Sequence, residues 1–86
     1  MKGTEKQIKW AEDIKARFEA RVIEVYATGE MAENKPVIDK ALEFISNKYV
    51  DAKYWIDNEQ NRRYEGDLYL EWFAELTNDP DMQKIF

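Results

Sequence analysis

From Ile8 onward, apolar residues recur at spacings of three and four: Ile8, Ala11, Ile14, Phe18, Val22 and Val25. With Trp10 and Tyr26 they cover an arc of roughly 160° at ~100° per residue, which predicts an amphipathic helix. The opposite side carries Lys9, Glu12, Asp13, Arg17 and Glu24, a solvated mixed-charge face with Asp13 and Arg17 spaced to pair at i,i+4. Thr4-Glu5-Lys6-Gln7 has the form of a capping box, so the helix begins there. Gly29 is its natural stop, because glycine enters the left-handed conformation without strain.

Residues 30–35 read as a connection, with Glu30 to Glu33 able to add one helical turn. Pro36 suits the first turn of a second helix, where its missing amide hydrogen costs nothing. Val37, Ile38, Ala41, Leu42, Phe44, Ile45 and Tyr49 again share one arc, with Asp39, Lys40, Glu43 and Ser46 opposite. Two readings of residues 36–57 stand side by side. Either one helix continues to Asp57, or Ser46-Asn47 breaks it and Asp51 caps a short third helix from Ala52. Asn58 to Gly66 is polar and contains a glycine, which reads as a loop or a frayed helix start. Asp67 then caps a helix whose Leu68, Tyr69, Trp72, Phe73 and Leu76 share a face and which ends near Asn78. Asp79-Pro80 repeats the cap-then-proline signal, and Met82, Ile85 and Phe86 suggest a last turn docked on the core. The expected fold is all-α, a small bundle of three to four helices forming a single domain over residues 1–86.

Twelve aromatic residues among 86 supply the bulk that so short a chain needs for a core. Cysteine and histidine are both absent, which removes disulfides, thiolate nucleophiles, the commonest general base and the commonest transition-metal ligand. No apolar stretch approaches the ~18 residues of a membrane span, and the N-terminus leads into no signal-peptide region. Together these point to a cytoplasmic, non-enzymatic protein that needs no metal or cofactor. Asp57, Glu59 and Asn61 alternate like the first ligands of a calcium loop, but Arg62 and Leu68 stand where that loop needs glycine and a bidentate glutamate.

Net charge is −5 and uneven: residues 1–42 hold eight acids and eight bases, residues 43–86 ten acids and five bases. An acidic C-terminal half repels a phosphate backbone, so direct nucleic-acid binding is disfavoured. Asp67, Glu71 and Glu75 fall at i, i+4, i+8, a line of carboxylates either solvated or able to dock Lys and Arg of a partner. If the stripe blocks a nucleic-acid-binding protein, reversing all three to Lys is expected to abolish inhibition while leaving helicity intact. Tyr54, Trp55 and Ile56 are consecutive and point ~100° apart, so one of them is expected to be exposed. Leu70 likewise falls off the apolar face of its helix. Tyr54 and Leu70 join Asp67, Glu71 and Glu75 as the candidate partner-binding residues.

The opening Gly3-Thr4-Glu5-Lys6-Gln7-Ile8-Lys9-Trp10-Ala11-Glu12-Asp13-Ile14, with the later Asp51-Ala52-Lys53-Tyr54-Trp55-Ile56-Asp57, resembles a family of small proteins from phages and mobile elements of Gram-positive bacteria. The resemblance implies a mobile-element setting and assigns no activity and no site residues. Small acidic proteins in that setting often inhibit host defence stoichiometrically, as anti-CRISPR proteins do. Trp10 and Trp55, the aromatic centres of the two matching segments, are expected to pack on each other in the core.

The leading reading is a non-catalytic protein-binding domain, an accessory or inhibitor protein whose acidic surface and exposed aromatics contact a host protein such as a nucleic-acid-binding defence protein. An alternative is a structural homo-oligomer that buries its surplus aromatics against a copy of itself. A third is weak DNA binding through the Lys6, Lys9, Arg17 and Arg21 side of the first helix.

Overall fold

A computed structural model describes residues 1–62 and 66–86. Five α-helices follow one another: α1 (Glu5–Tyr26), α2 (Lys35–Lys48), α3 (Ala52–Asn61), α4 (Leu68–Leu76) and α5 (Pro80–Gln83), with a 3₁₀ segment, Gly29–Asn34, between α1 and α2. The fold is all-α, as the 3.6-residue period requires. No helix among the described residues is long and apolar enough to cross a membrane.

Helix α1 starts at the anticipated capping box: the Gln7 amide donates to Thr4 Oγ1 at 3.2 Å and the Thr4 amide to Gln7 Oε1 at 3.0 Å. It lays Ala11, Ile14, Phe18 and Val22 into the core and packs against α2, α3 and α4. Its last helical residue is Tyr26, and Gly29 opens the 3₁₀ segment at φ 60°. Helix α2 carries Pro36 in its first turn and buries Ile38, Ala41, Leu42 and Ile45. Asp67 and Asp79 cap α4 and α5 through their carboxylates.

Residues 36–57 form two helices, and the break has a cause distant in sequence. The Lys2 amide donates to the Val50 carbonyl and the Ala52 amide donates to the Lys2 carbonyl, both at 2.7 Å. Backbone groups that a continuous helix would use internally are thus taken by the N-terminal segment. Asp51 occupies the cap position of α3, but its carboxylate makes no capping bond; the Tyr54 amide donates to the Asp51 backbone carbonyl at 3.1 Å. Gly3 makes the close approach possible. Its φ is 142°, and a Cβ there would lie 3.0 Å from that of Ala52, so both backbone strain and a clash meet any larger residue. The Gly3 and Asp51 segments, read from the sequence as parts of one resemblance, are therefore neighbours in space.

Phe18 is the centre of the core. Its ring lies 5.6 Å from Trp55 of α3, 5.0 Å from Trp72 of α4 and 6.2 Å from Phe73, and the two indoles lie 5.2 Å apart. Such tilted and edge contacts add roughly 0.5–1.5 kcal/mol per pair beyond area burial. The expected packing of Trp10 on Trp55 is not found. Trp10 is 45% exposed whereas Trp55 is fully buried, because Trp10 sits about 70° from the centre of the Ala11–Ile14–Phe18 stripe and Phe18 and Trp72 already flank Trp55. Nor is any of the Tyr54-Trp55-Ile56 trio exposed: Trp55 and Ile56 are buried and Tyr54 is half-buried.

Two further expectations need correction. Asn58 to Asn61 belong to α3 rather than to a loop. The Asn58 side chain donates to the Tyr54 carbonyl at 2.8 Å, and Glu59 is held by Tyr69 and Arg17; residues 63–65 of the expected loop lie outside the described residues. At the C-terminal end Met82 is fully buried, but Ile85 is only half-buried and Phe86 is 56% exposed.

Replacing Gly3 with Ala is expected to destabilise the fold by about 1–3 kcal/mol, lowering the thermal midpoint by roughly 4–8 °C per kcal/mol in circular dichroism. The two tryptophans separate as sharply: Trp55→Ala is expected to cost about 3–5 kcal/mol, and Trp10→Ala within about 1 kcal/mol, measured as urea midpoints. Equal costs would return Trp10 to the core.

Candidate functional site

The acidic stripe of α4 is largely engaged within the chain. Asp67 accepts the Leu70 amide at 3.2 Å and pairs with Arg21 of α1. That guanidinium, through its hydrogen bond, holds the Asp67 carboxyl below the usual carboxylate range. Glu75 pairs with Arg62 at 2.6 Å, and the Arg62 guanidinium lies 5.0 Å over the Trp72 ring. Glu71 is exposed and makes no ion pair among the described residues. Replacing all three acids with Lys therefore removes a helix cap and two ion pairs as well as the stripe.

Tyr54 and Leu70 are half-buried. The Tyr54 ring stacks on Tyr49 at 4.1 Å and 10°, and its hydroxyl accepts from Trp72 Nε1 at 3.2 Å; burial raises its pKa. Its polar atom and one ring face are thus committed inward. Leu70 precedes Phe73, Ala74 and Thr77 by three, four and seven residues, so it lies on the same side of α4 as they do.

The basic side of α1 is engaged in turn. Arg17 Nε donates to the Tyr69 hydroxyl at 3.1 Å, Arg17 also pairs with Glu59 at 3.2 Å, and the Tyr69 hydroxyl donates to Glu59 at 2.9 Å. Arg21 pairs with Asp67 and with Glu24. Of the four bases expected to face a phosphate backbone, Arg17 and Arg21 are held by carboxylates. Asp57, Glu59 and Asn61 all lie in α3, where alternate residues point about 200° apart and cannot wrap one ion. No group of three metal-ligating side chains occurs among the described residues.

One concavity of the surface is an open groove of about 650 Å³. Tyr26 from the end of α1 and Val37 and Ile38 from the start of α2 line one part of it, and Phe73 and Ala74 of α4 another, with Phe86 at its margin. Asn34 and Thr77 are its polar lining residues. The exposed Met31 thioether, whose sulfur lies 4.0 Å from Asn34 Nδ2, extends the apolar surface beyond the groove. Apart from the Tyr26 and Thr77 hydroxyls and the Asn34 amide the lining is hydrocarbon, which can bury apolar surface of another molecule.

The groove was not among the surfaces anticipated from sequence. Val37 and Phe73 read as core residues and Phe86 as part of a docked turn. The trace it left was the short side chain of Ala74 beside Phe73, which keeps the α4 wall low.

Asp67 supplies a test of the ion-pair geometry. Its depressed pKa stabilises the fold at pH values above about 4, the unfolded-state range, and this contribution is lost as pH falls through the folded-state value. Asp67→Asn keeps a good capping residue and removes the charge. It is expected to lower the urea midpoint at pH 7, with the gap to wild type narrowing as pH falls below about 4. A gap independent of pH would remove Arg21 from the stability of α4.

The chain matches no known family model, no curated protein sequence and no solved structure at significant similarity.

Proposed function

We propose that this chain is a non-catalytic protein-binding domain, an accessory or inhibitor protein of a phage or mobile element, that docks on a host protein through the groove between α2 and α4. The observation that carries this reading is the groove itself: a broad, predominantly apolar surface, flanked by the exposed Met31 and Phe86. A concave apolar surface is a place where apolar groups of another molecule can leave water. The absence of Cys and His from the sequence supports binding over catalysis. The acidic stripe first suggested by the sequence is the weaker candidate, since Asp67 and Glu75 satisfy Arg21 and Arg62. The acidic excess of the C-terminal half suits a host protein that itself handles nucleic acid, such as a defence effector of the kind anti-CRISPR proteins block.

Ala74 is exposed and mid-helix, so Ala74→Arg fills the groove without disturbing the core and retains a good helix former. In affinity capture from a Gram-positive host lysate followed by mass spectrometry, the wild type and a Glu12→Arg control on the exposed face of α1 are expected to retain the same partner. Ala74→Arg is expected to lose it. Undiminished retention by Ala74→Arg dismisses the groove. A dimer in sedimentation equilibrium that Ala74→Arg dissociates would instead assign the groove to a second copy of the chain.

A further inference from the structure

Resting on the reading of the groove as a docking site, we infer that its occupant is an amphipathic helix of the partner whose apolar stripe is flanked by Lys or Arg. Three features of the surface specify that chemistry. The first is shape. A small molecule is held where most of its surface is enclosed, whereas this groove is open to solvent along its length. Its apolar walls come from elements on two sides, an arrangement that receives a row of side chains at helical spacing.

The second is charge at the rim. The 3₁₀ segment beside Asn34 carries Glu30 and Glu33, both exposed, and no base. On α4, the exposed Glu71 lies three residues before Ala74 and so on the neighbouring strip of helix surface. None of these three carboxylates has an ion-pair partner among the described residues, although Arg17, Arg21 and Arg62 are each paired elsewhere. On the α2 side Lys35 is bound to Asp39, and Lys40 is the base without a partner among the described residues of that helix. Among the described residues the rim therefore presents three unpaired acids against one unpaired base. Apolar contact supplies affinity and the acids select cationic flanks.

The third is adaptability. Met31 is exposed at the edge of the groove, and an unbranched, polarizable thioether moulds to side chains of differing shape. A phosphate backbone is disfavoured by the same rim carboxylates.

Two synthetic helix-forming peptides of about 15 residues, one of Leu and Lys and one of Leu and Glu in the same amphipathic pattern, test the inference against the ¹⁵N-labelled full chain. The Leu/Lys peptide is expected to shift the amides of Tyr26, Asn34 and Ala74, with affinity falling several-fold as ionic strength rises from about 0.01 to 0.15 M. The Leu/Glu peptide is expected to leave them unmoved. Ala74→Gln, which fills the groove without adding charge, is expected to abolish the shifts, and Glu30→Lys with Glu33→Lys to weaken binding by about tenfold; the dispersion of each variant's spectrum shows that it is folded. If both peptides shift the groove amides equally, the groove remains a docking site and the cationic-flank inference is overturned. If the Leu/Lys peptide shifts only amides elsewhere, or neither peptide shifts any, the inference and the groove reading fall together.

Discussion

The contact of Phe18 with Trp55 and Trp72 is the interaction on which the rest of the fold depends. Three helices meet at these rings, and both indole N–H groups carried into the interior have to find acceptors. An unmet buried donor would cost about 1–3 kcal/mol. Trp55 Nε1 reaches the Tyr49 carbonyl at 2.9 Å, and Trp72 Nε1 reaches the Tyr54 hydroxyl at 3.2 Å. The first bond ties the end of α2 to α3, and the second ties α3 to α4. The same pair of bonds accounts for the three consecutive apolar residues Tyr54-Trp55-Ile56. Tyr54 turns its hydroxyl to Trp72 and its ring to Tyr49, so a residue that the helical period places off the core face becomes part of it.

Where short-range chemistry decides the structure, the sequence was sufficient. The Ile8-to-Val25 period and the Thr4/Gln7 box define α1, and the carboxylates of Asp67 and Asp79 open α4 and α5. What was illegible depends on distant partners. The break between α2 and α3 is made by Lys2, some 49 residues away along the chain. The polar run Asn58–Asn61 is helical because Glu59 meets Tyr69 and Arg17. Trp10 looks like a core residue by composition and is displaced by angle. The groove was illegible for a related reason: it arises from how far apart α2 and α4 lie, and single-chain periodicity carries no information on lateral spacing.

Charge shows the same division. Along the sequence the acids crowd toward the C-terminal end, yet in space Arg17 and Arg21 of α1 reach across to Glu59 and Asp67. The fork of each guanidinium suits a carboxylate or a hydroxyl–carboxylate pair. Such partly exposed pairs add little stability individually, but they settle which carboxylates remain for a partner. Among the described residues Glu30 and Glu33 of the 3₁₀ segment and Glu71 of α4 remain unpaired, as do Glu5, Glu12, Glu43, Asp51 and Asp57 elsewhere on the surface.

The two-bond stitch at Lys2 and the groove lining at Tyr26 mark opposite ends of α1. A helix of 22 residues is about 33 Å long, so these two regions share no side chains, and they are joined through α1 and through α2, which leads from the groove residues Val37 and Ile38 back to the stitch at Val50. Substitutions at the exposed Ala74 and Phe86 at one pole of the molecule can therefore be made without touching the backbone bonds of Lys2 with Val50 and Ala52 at the other.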